Sequence, residues 1–298
     1  MQINNIIEFC SKNEIIVKQN ILLSELTSFK VGGIADILVY PSNVKQLVII
    51  LNYLMDNQIT LFVMGKGSNL LCSDDGYRGV IIKTDCLSNI EANDNKITAM
   101  VGDTLASIAR CTLNNCLSGF EFAALIPGSL GGAIYMNAGA YGGEMKDIVK
   151  KVTYLDENQN LCEIENNKCE FGYRTSIFKK NKYIIVSVEI ELVKGDYNQI
   201  KDKMALLAFK RKSKQPLDYG SAGSTFKRPI DGYAAELIER CGLKGYTIGG
   251  ACVSEKHSGF IINKNNATSL DISNLIAYVK DTVYKKTGII LELEVITL

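Results

Sequence analysis

The sequence predicts a mixed α+β protein built from more than one domain. Its 298 residues exceed the ~100 to 150 of an ordinary domain. A composition of 47% hydrophobic and 22% charged residues with four prolines supplies ample core and no signature of disorder. Short apolar runs of strand type also fall between segments of helical periodicity, first in strand, helix, strand order and then again through the middle of the chain.

After Tyr40 and Pro41, Ser42 or Asn43 can cap a helix whose apolar positions Val44, Leu47, Val48, Leu51 and Leu54 recur at helical spacing. The runs LFVMG (61–65) and GVIIK (79–83) read as buried strands, and together these segments open an α/β domain. A second helix is expected from Thr104 to Cys116, with Leu105, Ile108, Ala109 and Leu113 on one face. Segments 147–155 and 183–193 read as strands. From Tyr197 to Lys214 the chain is helical and basic, ending in KQPLDYGSAGS, where Pro216 and two glycines force an irregular segment and mark the main boundary. A helix over 232–241, a strand GFIIN (259–263) and a long helix from about Leu270 to Lys286, stopped by Gly288, follow. The closing IILELEVITL is expected as a strand with Ile290, Glu292, Glu294 and Ile296 on one face.

A net charge of +1 gives no electrostatic case for nucleic acid or an acidic membrane surface. The N-terminal MQINNIIEFC lacks a basic leader, and no apolar run approaches the ~20 residues of a membrane span, so a cytoplasmic location is expected. The nine cysteines form no CxxC pair and are expected to be reduced core thiols. With His257 as the only histidine, a multi-histidine metal site is excluded, and no metal is expected.

Two glycine-rich segments remain to be explained. GKGSNLL (65–71) follows a strand, and PGSLGGAIYMNAGAYGGE (127–144) holds six glycines and not one Lys, Arg or His. Backbone N–H groups can hold phosphate where glycines permit positive φ and close approach. The Walker and Rossmann spacings are both absent. Either segment alone reads as tight turns; two in one chain point to a diphosphate gripped from two domains.

At this point the chain resembles the UDP-N-acetylenolpyruvoylglucosamine reductases, the MurB flavoenzymes of peptidoglycan synthesis. The resemblance rests on GKGSNLLCSDDGYRGVII (65–82) and IPGSLGGAIYMNAGAYGGE (126–144), and continues in SFKVGGIAD (28–36), FGYRTSIF (171–178), SAGSTFKRP (221–229), AAELIERCGLKG (234–245), IGGACVSEKHSGFIIN (248–263) and LELEV (291–295). It implies a three-domain α+β flavoprotein of the PCMH type. Residues 1–90, joined by the C-terminal strand 289–298, and residues 91–200 would form two FAD-binding subdomains, and 201–288 a substrate-binding domain. It implies non-covalent FAD contacted by Gly65, Lys66, Gly67, Ser68, Asn69, Pro127, Gly128, Ser129, Gly131, Gly132 and Ala133. NADPH would supply hydride to the flavin and the flavin would pass it to C3 of an enolpyruvyl ether, with a proton added at C2. With no long insertion between Arg174 and Lys214, the chain resembles the compact form of the family.

By motif match, Arg174 would grip the developing enolate, Ser224 would donate the proton and Glu294 would assist. Glu292 shares the face of Glu294, so physical reasoning leaves the two open; LELEV also carries Leu293 where the family has proline. Lys214, Arg228 and His257 would bind substrate, although a lone histidine is more often structural. Either Lys227 or Arg228 could serve Ser224. A monomer is expected. Two rival readings are another PCMH-type FAD oxidoreductase and a non-catalytic binder of nucleotide sugars. Covalent flavin attachment through histidine finds no partner near the glycine segments, and Arg174, Ser224 and Glu294 together argue for turnover.

Overall fold

In the computed structural model, residues 3–181, 183–230 and 232–298 are described; residues 1, 2, 182 and 231 lie outside them. Eight helices are described: α1 (Ile3–Lys12), α2 (Val44–Asp56), α3 (Leu105–Asn114), α4 (Leu130–Tyr135), α5 (Ile177–Lys180), α6 (Tyr197–Lys214), α7 (Ala234–Arg240) and α8 (Ser269–Thr287). The chain forms two compact units: residues 1–18, 37–66 and 79–211 make the first, and 19–36, 67–78 and 212–298 the second.

In the first unit, Asn43 is the residue that caps α2, its side chain accepting from Gln46 N. The strands Leu61–Met64 and Tyr77–Lys83 pair in parallel, with Leu61 opposite Val80, and the connection between them, residues 65–76, holds no helix. They belong to a four-stranded sheet ordered Ile16–Leu22, Ile34–Tyr40, Tyr77–Lys83, Leu61–Met64. A five-stranded antiparallel sheet runs Leu161–Glu165, Val149–Leu155, Ile184–Glu191, Lys96–Met100, Ile90–Asn93. Its inward residues Ile97, Ala99, Val152 and Val188 are buried in one core with Leu105 and Ile108 of α3 and Leu130 and Ile134 of α4. Thr104 caps α3 by accepting from Ser107 N.

In the second unit, three short antiparallel strands, Thr247–Ile248, Ala251–Val253 and Ile261–Asn263, share a core with α7 and α8 through Leu237, Ile238, Leu275, Val279 and Val283. Helix α8 starts on a capping box of Thr268 and Asp271 and stops at Gly288, whose φ of 74° only glycine adopts readily. Phe29, Val31 and Leu71, distant in sequence, complete that core.

The C-terminal segment differs from the expected unbroken strand. Leu293 bridges Phe226 in antiparallel sense, whereas Ile296–Thr297 pairs in parallel with Leu70–Leu71. The segment changes partner between these positions and bends at Val295. Alternation survives the bend: Leu291 and Val295 are buried and Ile290 and Glu292 are exposed, so the glutamate face is the outer one. Among the described residues no helix is long and apolar enough to cross a membrane, and no cluster of three or more His, Cys, Asp or Glu could hold a metal. All nine cysteines are free; Cys10, Cys72, Cys169, Cys241 and Cys252 are buried and Cys86 is exposed.

Candidate active site

Strand Leu61–Met64 delivers Gly65 onto a buried cation. The Lys83 side chain, 3% exposed, donates from Nζ to the Gly65 carbonyl and lies 3.2 Å from Asp85 Oδ2. Asp85 Oδ1 in turn lies 2.7 Å from Lys66 Nζ. Burial pulls the Lys83 pKa down against the pull of Asp85. Burial pushes the Asp85 carboxyl up, but the two lysines outweigh it and hold it below its ordinary value. A Cβ at Gly65 would fall 2.2 Å from Ser129 Oγ, so the two glycine segments meet here and only glycine fits. Close by, 4.0 Å from that Cβ position, the buried Thr84 Oγ1 finds no hydrogen-bond partner among the described residues. A buried hydroxyl left unpaired beside a glycine cradle suits a polar ligand that completes it, and the residues present fit a diphosphate cofactor.

Ser129 caps α4, accepting from Gly132 N at 3.4 Å. Leu130 N donates to Asp103 O at 2.8 Å and Gly131 N to Val101 O at 3.0 Å. The Gly131 N–H is therefore engaged inside the unit, and a Cβ there would lie 2.1 Å from Val101 Cγ2. Its glycine serves close packing. Gly132 is exposed, and a Cβ would meet only Ser129 Oγ, at 3.6 Å. Pro127 is exposed, Gly128 accepts from Leu105 N at 3.2 Å, and Ala133 is buried.

Arg174 sits in the turn Gly172–Thr175, closed by Gly172 N to Thr175 O at 3.1 Å, and adopts φ of +55°. Its Nη2 donates to Gly139 O at 3.3 Å and its guanidinium lies 4.9 Å from the Tyr173 ring centroid. Ser176, fully buried, donates to Tyr135 O at 2.8 Å.

In the second unit, Gly67 takes φ of +63° and its carbonyl accepts from Ser28 N at 3.2 Å. Ser68 O accepts from Ser28 Oγ at 3.2 Å. Asn69 Nδ2 donates to Glu294 O at 3.0 Å and Asn69 O accepts from Ile296 N at 3.0 Å. Ser224 follows Gly223, whose φ is +76°. Thr225 beside it accepts from Glu294 N at 3.0 Å and donates its own N–H to Gly259 O at 2.8 Å. Ser224, Asn69 and Glu294 are thus drawn together by backbone pairing.

The two glutamates separate clearly. Glu292 is exposed and pairs with Lys227 Nζ at 2.9 Å, which holds its carboxyl below the ordinary value. Glu294 is half-buried next to Thr225. Of the two cations after Ser224, Lys227 carries Glu292, and Arg228 lies over the Tyr233 ring, 4.3 Å from its centroid. His257 is half-buried; its Nδ1 accepts from Gly259 N at 3.2 Å, which leaves the ring proton on Nε2, and burial lowers its pKa. Lys214 is the exposed last residue of α6.

Sequence reasoning missed Lys83, Thr84, Asp85 and Asn137. The first three lie in an apolar strand and its end, where nothing marks a buried charge. Asn137 stood inside the glycine segment, and an asparagine among glycines is a known signal for positive φ; its φ is +42°.

Residues 35–165 match the model of an FAD binding domain, and residues 215–298 that of the C-terminal domain of UDP-N-acetylenolpyruvoylglucosamine reductase. The reductase of that name from Caldanaerobacter subterraneus subsp. tengcongensis is 52% identical over 88% of this chain and 87% of its own. That from Clostridioides difficile is 48% identical over 98% and 95%. The crystal structure of the Thermus caldophilus MurB reductase covers 95% of this chain and 99% of its own, with a TM-score of 0.81 at 29% identity. A cholesterol oxidase from Brevibacterium sterolicum, at 16% identity and a TM-score of 0.50 over 61% of this chain, shares the fold alone. With identity this high over nearly the whole length of both chains, this protein belongs to the UDP-N-acetylenolpyruvoylglucosamine reductase family.

Proposed function

We propose that the chain reduces UDP-N-acetylglucosamine enolpyruvate to UDP-N-acetylmuramate, using NADPH and bound FAD, in peptidoglycan synthesis. The observation that carries this is the near full-length identity to named reductases. FAD supplies a hydride acceptor for NADPH and a hydride donor for the enolpyruvyl carbon. The Gly65, Ser129 and Thr84 corner would hold it, with Lys66 and Gly132 flanking.

Hydride addition at C3 pushes negative charge onto C2 and its carboxylate. Arg174, charged at any working pH, would bind that charge, preferably in bidentate fashion. Ser224 would protonate C2, and Glu294, half-buried and backbone-tied beside Thr225, would assist the proton's passage. The pairing of Glu292 with Lys227 supports assigning that role to Glu294. Lys214 and Arg228 would bind the nucleotide sugar as cations, and His257 as a neutral Nε2–H donor. We read the two sheets as the FAD-binding subdomains, with boundaries near residues 90 and 200, and the region from 201 to 288 as the substrate domain. We read the chain as a cytoplasmic monomer, and the near-neutral charge supports the absence of nucleic acid among its ligands.

The visible spectrum of the purified protein tests this directly, with flavin bands expected near ~450 nm. Beyond the one equivalent that bleaches the flavin, NADPH should be oxidised only when the enolpyruvyl substrate is present. A colourless protein would remove the cofactor assignment; multiple turnovers of NADPH without substrate would favour a different oxidoreductase on the same scaffold.

A further inference from the structure

Arg174 does not hold its conformation unaided. Asn137, in the turn that follows α4, is fully buried. Its Nδ2 donates to Gly172 O at 3.0 Å and to Glu144 Oε2 at 3.1 Å, and its Oδ1 accepts from Lys146 N at 2.9 Å. Both amide donors and the carbonyl oxygen are thus engaged, and they join three separate segments. Gly172 is the first residue of the turn that carries Arg174. The other end of that turn is tied by Ser176 Oγ to Tyr135 O at 2.8 Å, and the guanidinium itself reaches Gly139 O.

The turn needs these ties, because Arg174 occupies the left-handed region at φ of +55°. Such a conformation in a non-glycine residue persists only where surrounding contacts over-determine it. Buried hydrogen bonds from a fully satisfied amide provide that determination without a charge that would itself attract substrate.

We infer that Asn137 is the positioning residue for Arg174, fixing the left-handed turn so that the guanidinium is presented in one orientation. The inference rests on the reading of Arg174 as the group that binds the enolate. Asn137 touches neither cofactor nor substrate in this assignment; it acts only through the turn.

The test uses the flavin-loaded enzyme and stopped-flow absorbance to separate two steps, bleaching of the flavin by NADPH and its reoxidation by the enolpyruvyl substrate. Asn137→Gly keeps a residue suited to positive φ and removes the tether. Its apoprotein should melt roughly 3 to 8 °C lower, from loss of buried hydrogen bonds. Bleaching should proceed at the wild-type rate while reoxidation slows by about 10- to 100-fold, the range for loss of a misplaced reacting group. Ser176→Ala, which cuts the other tie, should give the same split to a lesser degree and stands in if the glycine variant fails to fold.

A double variant with Arg174→Ala should reoxidise no more slowly than Arg174→Ala alone, since a residue acting through Arg174 has nothing left to act on. Equal slowing of both steps, or additive losses in the double variant, would overturn the positioning role. If Arg174→Ala itself leaves reoxidation untouched, the enolate assignment fails instead, and the two failures cannot be confused.

Discussion

Arg174 pays for its placement in backbone strain, and that strain is measurable. Glycine adopts φ of +55° freely, whereas any residue with a Cβ is disfavoured there by about 1 to 2 kcal/mol. Arg174→Gly and Arg174→Ala both remove the guanidinium, so both should lose reoxidation by substrate; yet the glycine variant should melt above the alanine variant by roughly 2 to 4 °C. Equal melting temperatures would show that the turn is relaxed. The glutamates offer a second contrast at this scale. Glu294→Gln keeps hydrogen bonding and loses proton traffic, so kcat should fall by about 10² or more with little change in KM, whereas Glu292→Gln loses only an exposed ion pair and should be mild. Steady-state kinetics on the two variants, with the larger kcat loss at Glu292, would reverse the assignment. The sequence alone placed both carboxylates on one face but could not choose between them. What separates them is Lys227, whose side-chain direction no spacing rule specifies.

At the scale of elements, α4 shows that neighbouring glycines can answer different needs. Gly131 lets the helix pack on Val101, where a Cβ would lie 2.1 Å from Cγ2, while a Cβ at exposed Gly132 would make only an ordinary contact with Ser129 Oγ at 3.6 Å. Gly131→Ala should therefore destabilise the apoprotein by roughly 1 to 3 kcal/mol through overpacking. Gly132→Ala should melt at or above the wild type, because alanine favours a helix, yet bind FAD about tenfold more weakly if the cofactor approaches that backbone closely. Flavin fluorescence titration of the apoprotein reads the affinity; an unchanged Gly132→Ala would place the contact elsewhere. Helix and strand positions were largely legible: α2, α3, α6 and α8 lie where periodicity and caps put them. The last strand was not, since the switch of partner from Phe226 to Leu70 is a tertiary event that alternation cannot reveal.

At the scale of the molecule, the second unit takes in the chain from Lys212, inside the last turn of α6. No local pattern, however, signals that residues 19–36 and 67–78 belong to that unit as well. They are joined through core contacts of Phe29, Val31 and Leu71 with α7 and α8, and such contacts leave no local pattern. Residues 212–298 expressed alone should consequently fail to fold, with circular dichroism showing no cooperative melt. A sharp thermal transition in that fragment would mean its own core suffices.

The cysteines have a practical consequence. Burial pushes the thiol of Cys10 up to about 11 and those of Cys72 and Cys169 up to about 12, so at neutral pH these groups are almost entirely protonated and poor nucleophiles. Cys86 is exposed and follows Asp85, the carboxylate that joins Lys66 to Lys83 beneath Gly65. A maleimide dye added at limiting stoichiometry should therefore label Cys86 ahead of the buried thiols. Its emission would then report on the glycine corner as flavin arrives and leaves, giving an optical handle on cofactor loading that needs no engineered site.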